Sequence, residues 1–337
     1  MSDYNIINRH AKELHSKRAK LDEPTAIKYV EALKQCISGI NKLDKINSIV
    51  VLAKCTDLFP QSDVIHNQLD SSLFATLFEI ASSENVANET LRSILKIAIS
   101  FLSGVIPVHG TANTFHSVIL NAYNNYPLIE NLSNKLTDLD LMISTGIVDF
   151  VSKLIYRCVE TKKDEYFSLL LKNLTLSQFV SSFAILSPET NADLFRLGFS
   201  QSFLKSLKLA RSNLKSLAIK PEIPFHAALL NDLISALGSA INEQDKLGDK
   251  ADAFARAGFT NDPKAYIVEH FTILGVIELM GILGSPNMTF KKNYFEHIML
   301  ADDNCHFPIS LFTIHIKEMM TDLDVNEHPG FKNFAYL

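Results

Sequence analysis

Apolar residues return every three to four positions along most of this chain, and that spacing, repeated segment after segment, admits little besides helices. Ile27, Val30, Leu33, Ile37 and Ile40 form one such stripe; Leu73, Phe74, Leu77, Phe78 and Ala81 form a second; Leu91, Ile94, Leu95, Ala98, Phe101 and Leu102 form a third. Each helical residue advances about 100° around the axis, so every set falls on one face and has to be buried against a neighbour. A strand would need sustained alternation with β-branched enrichment bounded by turn dipeptides, and no stretch of the sequence combines them. Only 12 glycines and 11 prolines interrupt 337 residues, which implies long elements and short connections. The prolines of "DEPT" (Pro24), "SPET" (Pro188) and "NDPK" (Pro263) sit where a first helical turn has no use for an N–H. The expected fold class is all-α.

Size and charge narrow the function classes. A chain of this length buries roughly 75% of its unfolded surface, so its core needs no disulfide staples. The four cysteines, Cys36, Cys55, Cys158 and Cys305, are scattered without a CxxC pair, and are expected to be reduced and mostly buried in a cytosolic protein. The N-terminus "MSDYNIINRHAKELHSKRAK" has no apolar core of the kind a signal peptide needs. Phe271 to Met288 is long and weakly charged, but Glu278 at its centre and Pro286 near its end argue for a buried core helix over a membrane span. A net charge of -5 opposes general nucleic-acid binding.

Apolar pairs Phe74/Leu77, Phe115/Val118 and Leu154/Ile155 recur roughly 40 residues apart, the period of two- or three-helix solenoid units. "GIVDFVSKLI" at 146–155 resembles the glycine-turn-helix signature of an armadillo repeat, with Gly146 in the turn and Ile147, Val148, Val151, Leu154 and Ile155 facing inward. "LSPETNADLFRLGFSQSFLKSL" at 186–207 resembles another, with Gly198 in the turn and Phe199, Phe203, Leu204 and Leu207 inward. An irregular helical bundle is the other architecture consistent with a period of this strength. The charged stretch "NEQDKLGDKAD" at 242–252 reads as a boundary. The expected organisation is a basic N-terminal segment over 1–23, armadillo-like repeats over 24–241, a linker over 242–252 and a further helical segment over 253–337.

Catalytic handles are missing. The chain contains no phosphate-binding glycine loop, nucleophile elbow, HExxH helix or dinucleotide fingerprint. Asp302, Asp303, Cys305 and His306 cluster, but hard and soft ligands on adjacent positions suit no one metal, and a polar loop is expected; the lone His226 and His270 are expected as satisfied helix-packing partners. No cofactor is expected. Two basic stretches remain. Arg9, Lys12, Lys17, Arg18 and Lys20 read as a solvated terminus, whereas Lys205, Lys208, Arg211 and Lys215 are spaced to run along one helix face, opposite Leu204, Leu207, Leu214 and Leu217. That strip is either a solvated face or a partner-binding surface for an acidic peptide segment.

The segment "RAGFTNDPKAYIVEHFTILGVIEL" admits a plain structural reading: a glycine turn, Asp262 as N-cap, Pro263 at the first helical position, and a buried helix through Leu283. Gly275 interrupts that apolar helix and is expected at a close helix-to-helix approach. The order Gly258-Phe259, Asp262-Pro263, then Leu274-Gly275 with Leu279 also resembles the start of the ELMO domain, and "CHFPISLFTIHIKEMMTDL" at 305–323, with Phe307 and Pro308, resembles its later segment. Preceded by armadillo-like repeats, these motifs make the chain similar to an ELMO-type scaffold. The resemblance implies an armadillo-like α-solenoid with a C-terminal ELMO-like helical segment, incomplete at Leu337, and a non-catalytic cytoplasmic role, with recruitment to the plasma membrane by partners. It implies a DOCK-type exchange factor and a Rho-family GTPase as those partners. The relatives that activate GTP hydrolysis have an arginine shortly after the Asp-Pro pair; here "KAYIVEH" has none, which favours the scaffold branch. The family's ubiquitin-like module, pleckstrin-homology domain and proline-rich tail are not in this sequence, as expected for a fragment or a shortened relative. An unrelated armadillo or HEAT adaptor or assembly chaperone, and a GTPase-activating protein, stay open as alternatives.

Overall fold

A computed structural model describes residues 23–58, 63–104, 118, 122, 124–137, 140–160, 164–244 and 263–283. They form fourteen helices and no strand, so the all-α expectation holds. The chain divides into two compact units, residues 1–161 with 192–203, and residues 162–191 with 204–337.

The first unit contains α1 (Glu23–Ser38), α2 (Lys42–Leu58), α3 (Asp63–Gln68), α4 (Ser71–Ala81), α5 (Asn88–Ser103), α6 (Tyr126–Lys135) and α7 (Leu141–Glu160). Helix α5 is central and packs against α2, α4 and α7, while α1 covers α2. The stripes read from the sequence are the buried faces: every named residue of the second and third stripes is in the core, as are Val30, Leu33 and Ile37 of the first. Ile40 is the exception, fully exposed, because α1 stops at Ser38 and the stripe runs past its end. Phe74, Phe78, Phe101 and Phe150 join α4, α5 and α7, with ring centroids 4.8 Å apart for Phe74–Phe101, 5.7 Å for Phe74–Phe78 and 6.1 Å for Phe78–Phe150. Such offset aromatic pairs add directional stabilisation to the apolar area they bury.

Helix ends in this unit are closed by side chains, one local and two from distant sequence. Asp70 caps α4 by accepting from the Leu73 N–H at 2.9 Å, and its other oxygen accepts from Lys34 Nζ at 2.5 Å. Burial pushes the Asp70 carboxyl up, but hydrogen bonds from Lys34, the Leu73 N–H and Ser72, with the Lys34 charge, outweigh it and hold the group below the usual carboxylate range. Buried Asn131 on α6 donates to the Ala81 and Ser83 carbonyls at 2.6 and 3.2 Å, satisfying the C-terminal end of α4. The Arg157 guanidinium does the same for α5, donating to the Leu102 and Gly104 carbonyls at 2.7 and 2.6 Å while bridging to Glu160. A cation at that end also complements the helix dipole.

Gly146 departs from its expected role. It lies inside α7, and a Cβ there would come within 3.3 Å of Leu95 Cδ1. The glycine thus lets α7 approach α5; it makes no turn. Gly198 does occupy a turn, at φ 77°, between α10 (Pro188–Arg196) and α11 (Phe199–Leu214), the left-handed conformation that glycine adopts at no steric cost. Ser187 caps α10 by accepting from the Thr190 N–H at 3.1 Å, with Pro188 as the first helical residue, as the "SPET" reading requires.

The second unit contains α8 (Asp164–Leu176), α9 (Phe179–Ala184), α12 (Pro224–Gln244), α13 (Pro263–His270) and α14 (Ile273–Leu283), together with α11 from Leu204 onward. Helix α14 packs against α8 and α12, and α13 lies on α12. Ion pairing and hydrogen bonding tie the layers: Lys172 on α8 meets Asp232 on α12 at 2.5 Å, and Lys264 on α13 donates to Asn231 Oδ1 at 2.7 Å. The first three residues of the sequence-defined linker, 242–244, are the end of α12; residues 245–252 lie outside the described residues, as does the N-terminal basic segment up to residue 22.

Two expectations about this unit need correction. The stretch from Pro263 to Leu283 is two helices, because Phe271 and Thr272 leave the helical path to meet the segment after α11: the Ile273 N–H donates to the Leu217 carbonyl at 2.9 Å and Thr272 bridges Ala218. Thr272 then restarts the helix, its hydroxyl accepting from the Gly275 N–H at 3.2 Å. The close helix crossing is at Gly281 instead of Gly275. A Cβ on Gly275 would meet only Phe271 and Thr272 at ordinary contact distance, 3.4 Å or more, whereas a Cβ on Gly281 would run into the Thr175 methyl of α8.

Candidate functional site

The strip on α11 survives as a face. Apolar Leu207, Ala210 and Leu214 turn into the core with Phe203, and this 3.6-residue stripe leaves Lys205 and Lys208 exposed on the opposite side, with Lys215 exposed in the turn just past the helix end. Leu204 and Leu217, expected opposite the charges, are half-buried at the margin. None of the three lysines forms an ion pair among the described residues.

Arg211 is the exception, half-buried, with its guanidinium Nη2 donating to Glu278 Oε1 of α14. Both side chains are about one-third exposed, 33% and 34%. The pair explains why one carboxylate stands in the otherwise apolar helix "ILGVIELMGIL": it turns toward the only charge that α11 sends to its flank. The bridge between Thr272–Ile273 and Leu217–Ala218 fixes this geometry, since it holds the start of α14 beside the end of α11. Sequence reading had the cation and the anion separately and lacked the link between them. The available signal was the isolation of Glu278, because a lone carboxylate in an apolar run needs a partner.

Of the motif positions, Pro263 opens α13, Leu274 is buried in the first turn of α14 and Gly275 follows it, half-buried. Gly258, Phe259, Asp262, Phe307 and Pro308 lie outside the described residues, as do Asp302, Asp303, Cys305 and His306. The structure brings Thr272 and Ile273, just before the Leu274-Gly275 pair, against Leu217 and Ala218, just after the basic helix, a proximity that their separation in sequence conceals.

His226 is buried, its Nδ1 accepting from the Lys220 N–H at 3.0 Å with the Phe225 ring edge-on at 5.8 Å, which fits a packing role. His270 lies against Tyr266, centroids 4.3 Å apart. Burial pushes the Cys55 thiol up to about 11 and the Cys158 thiol higher still, so neither offers a thiolate nucleophile at neutral pH. Among the described residues no group of three His, Cys, Asp or Glu side chains could hold a metal ion, and no helix is long and apolar enough to cross a membrane. No protein-family model, no curated protein and no solved structure matches this chain.

Proposed function

We propose that this protein is a non-catalytic helical scaffold that works by binding protein partners, with the exposed face of α11 as a contact surface. The observation that carries this reading is the row Lys205, Lys208 and Lys215, solvent-facing and without ion-pair partners among the described residues, on a chain whose net charge is -5. Consecutive short-linked helices supply the support that an armadillo-like solenoid uses to present such a face. The more specific form of the proposal is an ELMO-like subunit of a DOCK-type exchange complex for Rho-family GTPases, acting in the cytoplasm and brought to the membrane by its partners. Its support is the order of Pro263, Leu274 and Gly275 at the starts of two successive helices.

Affinity purification of the full chain tests both levels. Recovery of a DOCK-type exchange factor, with loss of that partner in a Lys205→Glu/Lys208→Glu chain that keeps its helical content, supports the proposal. Recovery of an assembly intermediate or transport cargo in its place moves the function to a general helical adaptor. A rise of about 10³-fold or more in single-turnover GTP hydrolysis by a Rho- or Arf-type GTPase, the scale of a supplied arginine finger, would replace the scaffold with an activating enzyme.

A further inference from the structure

The charges of α11 are not evenly spread around its exposed side. Lys215 is the first residue past the end of α11 at Leu214, and its N–H still donates to the Arg211 carbonyl at 2.9 Å, so it continues the helical path seven residues on from Lys208, almost in line with it and about 10 Å further along the axis. Arg211 lies between them, rotated toward α14, where it already holds the Glu278 carboxylate. Leu209, 42% exposed, borders the same row on the side away from α14. The arrangement is a line of cations with an apolar edge and with one carboxylate in place.

Resting on the scaffold reading above, we propose that the flank formed by Lys208, Arg211 and Lys215 reads the carboxylates of an acidic peptide segment in a partner protein, and that Glu278 competes with that segment for Arg211. Charge complementarity selects the occupant. The one anion seated here is a carboxylate, the spacing of Lys208 and Lys215 matches acidic residues three apart in an extended chain or seven apart in a helix, and Leu209 provides an apolar contact that a phosphate backbone cannot use. A net charge of -5 further disfavours long polyanions and anionic membrane surfaces. Competition is feasible because an ion pair exposed by about a third at both ends is weak, so an external carboxylate supported by two adjacent lysines can displace its partner.

The test uses the full chain and a fluorescent synthetic peptide carrying glutamates at the first, fourth and eighth positions with a leucine between them. Binding is read by anisotropy at low and at physiological salt. Wild type binds and weakens as salt rises; Lys208→Glu/Lys215→Glu weakens binding several-fold. Glu278→Gln tightens it about threefold to fivefold, the factor that an exposed pair of this kind is worth, and the gain disappears in an Arg211→Met background. A gain of equal size in the Arg211→Met background overturns the competition, because Glu278 would then act only through its charge. Equal binding of a peptide with glutamine in place of each glutamate overturns carboxylate reading. Failure of the peptide to bind wild type or Glu278→Gln overturns the surface itself, as does a preference for RNA or anionic vesicles, while leaving recovery of partners through another face to decide the scaffold reading. If the Glu278 variant folds poorly, the Arg211 Nε–H resonance of the wild-type chain, assigned with Arg211→Lys, decides the same point: it moves on peptide addition if the guanidinium changes partner and stays if it does not.

Discussion

Replacing Gly281 by alanine should destabilise the second unit, although the same change at Gly275 in the same helix should not. At Gly281 the added Cβ lands well inside van der Waals contact of Thr175 Cγ2. The threonine cannot turn aside cheaply, since its hydroxyl donates to the Leu171 carbonyl at 2.8 Å and its β-branched side chain has few rotamers in a helix. Overpacking of this kind costs about 1–3 kcal/mol. Alanine recovers up to about 1 kcal/mol of helix propensity, less here because Gly281 lies two residues from the end of α14. The expected balance is a loss of about 1–2 kcal/mol. At Gly275 the nearest atom to a new Cβ is 3.4 Å away, an ordinary contact, so the propensity gain stands, reduced as at Gly281 because Gly275 lies two residues from the start of α14, and Gly275→Ala should be neutral or stabilising by less than about 1 kcal/mol. Because the chain contains no tryptophan, urea unfolding is best followed by helical circular dichroism, with hydrogen exchange of α8 and α14 amides to locate the change. Thr175→Ser removes the obstructing methyl and should restore most of the loss in a Gly281→Ala background, a non-additive result expected only for groups in contact. If Gly281→Ala raises the midpoint as Gly275→Ala does, or if Thr175→Ser restores nothing, α8 and α14 do not cross closely at this point.

Two further outcomes follow from the first unit. Asn131→Ala strips the Ala81 and Ser83 carbonyls of a buried donor and should cost about 1–3 kcal/mol, measured by the urea midpoint, whereas the exposed neighbour Asn134→Ala should change it by less than about 0.5 kcal/mol. Asp70 has its carboxyl held below the usual range in the folded state, so its contribution is fully present above the unfolded value and is lost as pH falls through the folded one. The stability difference between wild type and Asp70→Asn should therefore be constant from about pH 7 to about pH 5 and shrink below about pH 4; a difference that grows with acidity would reverse the sign of the argument.

What the sequence determined by itself was local. Helix content and the buried faces of α4, α5 and α7 follow from apolar spacing, because the period of a helix is set by its own backbone and any partner must accept the face it is offered. Pro188 and Pro263 marked helix starts for the same reason, and Gly198 marked a turn because only its own φ was at stake. Tertiary structure decided what each exceptional residue was for. Gly146, Gly275 and Gly281 all lie within helices, and which of them permits a close crossing depends on whether Leu95, the local Phe271 or Thr175 stands opposite. The break at Phe271–Thr272 is invisible to helical periodicity, since it arises from hydrogen bonding to Leu217 and Ala218, more than fifty residues earlier in the chain. Arg211 and Glu278 were both legible as charges in the sequence, but a charge does not name its partner; the bridge that lays α14 beside α11 does.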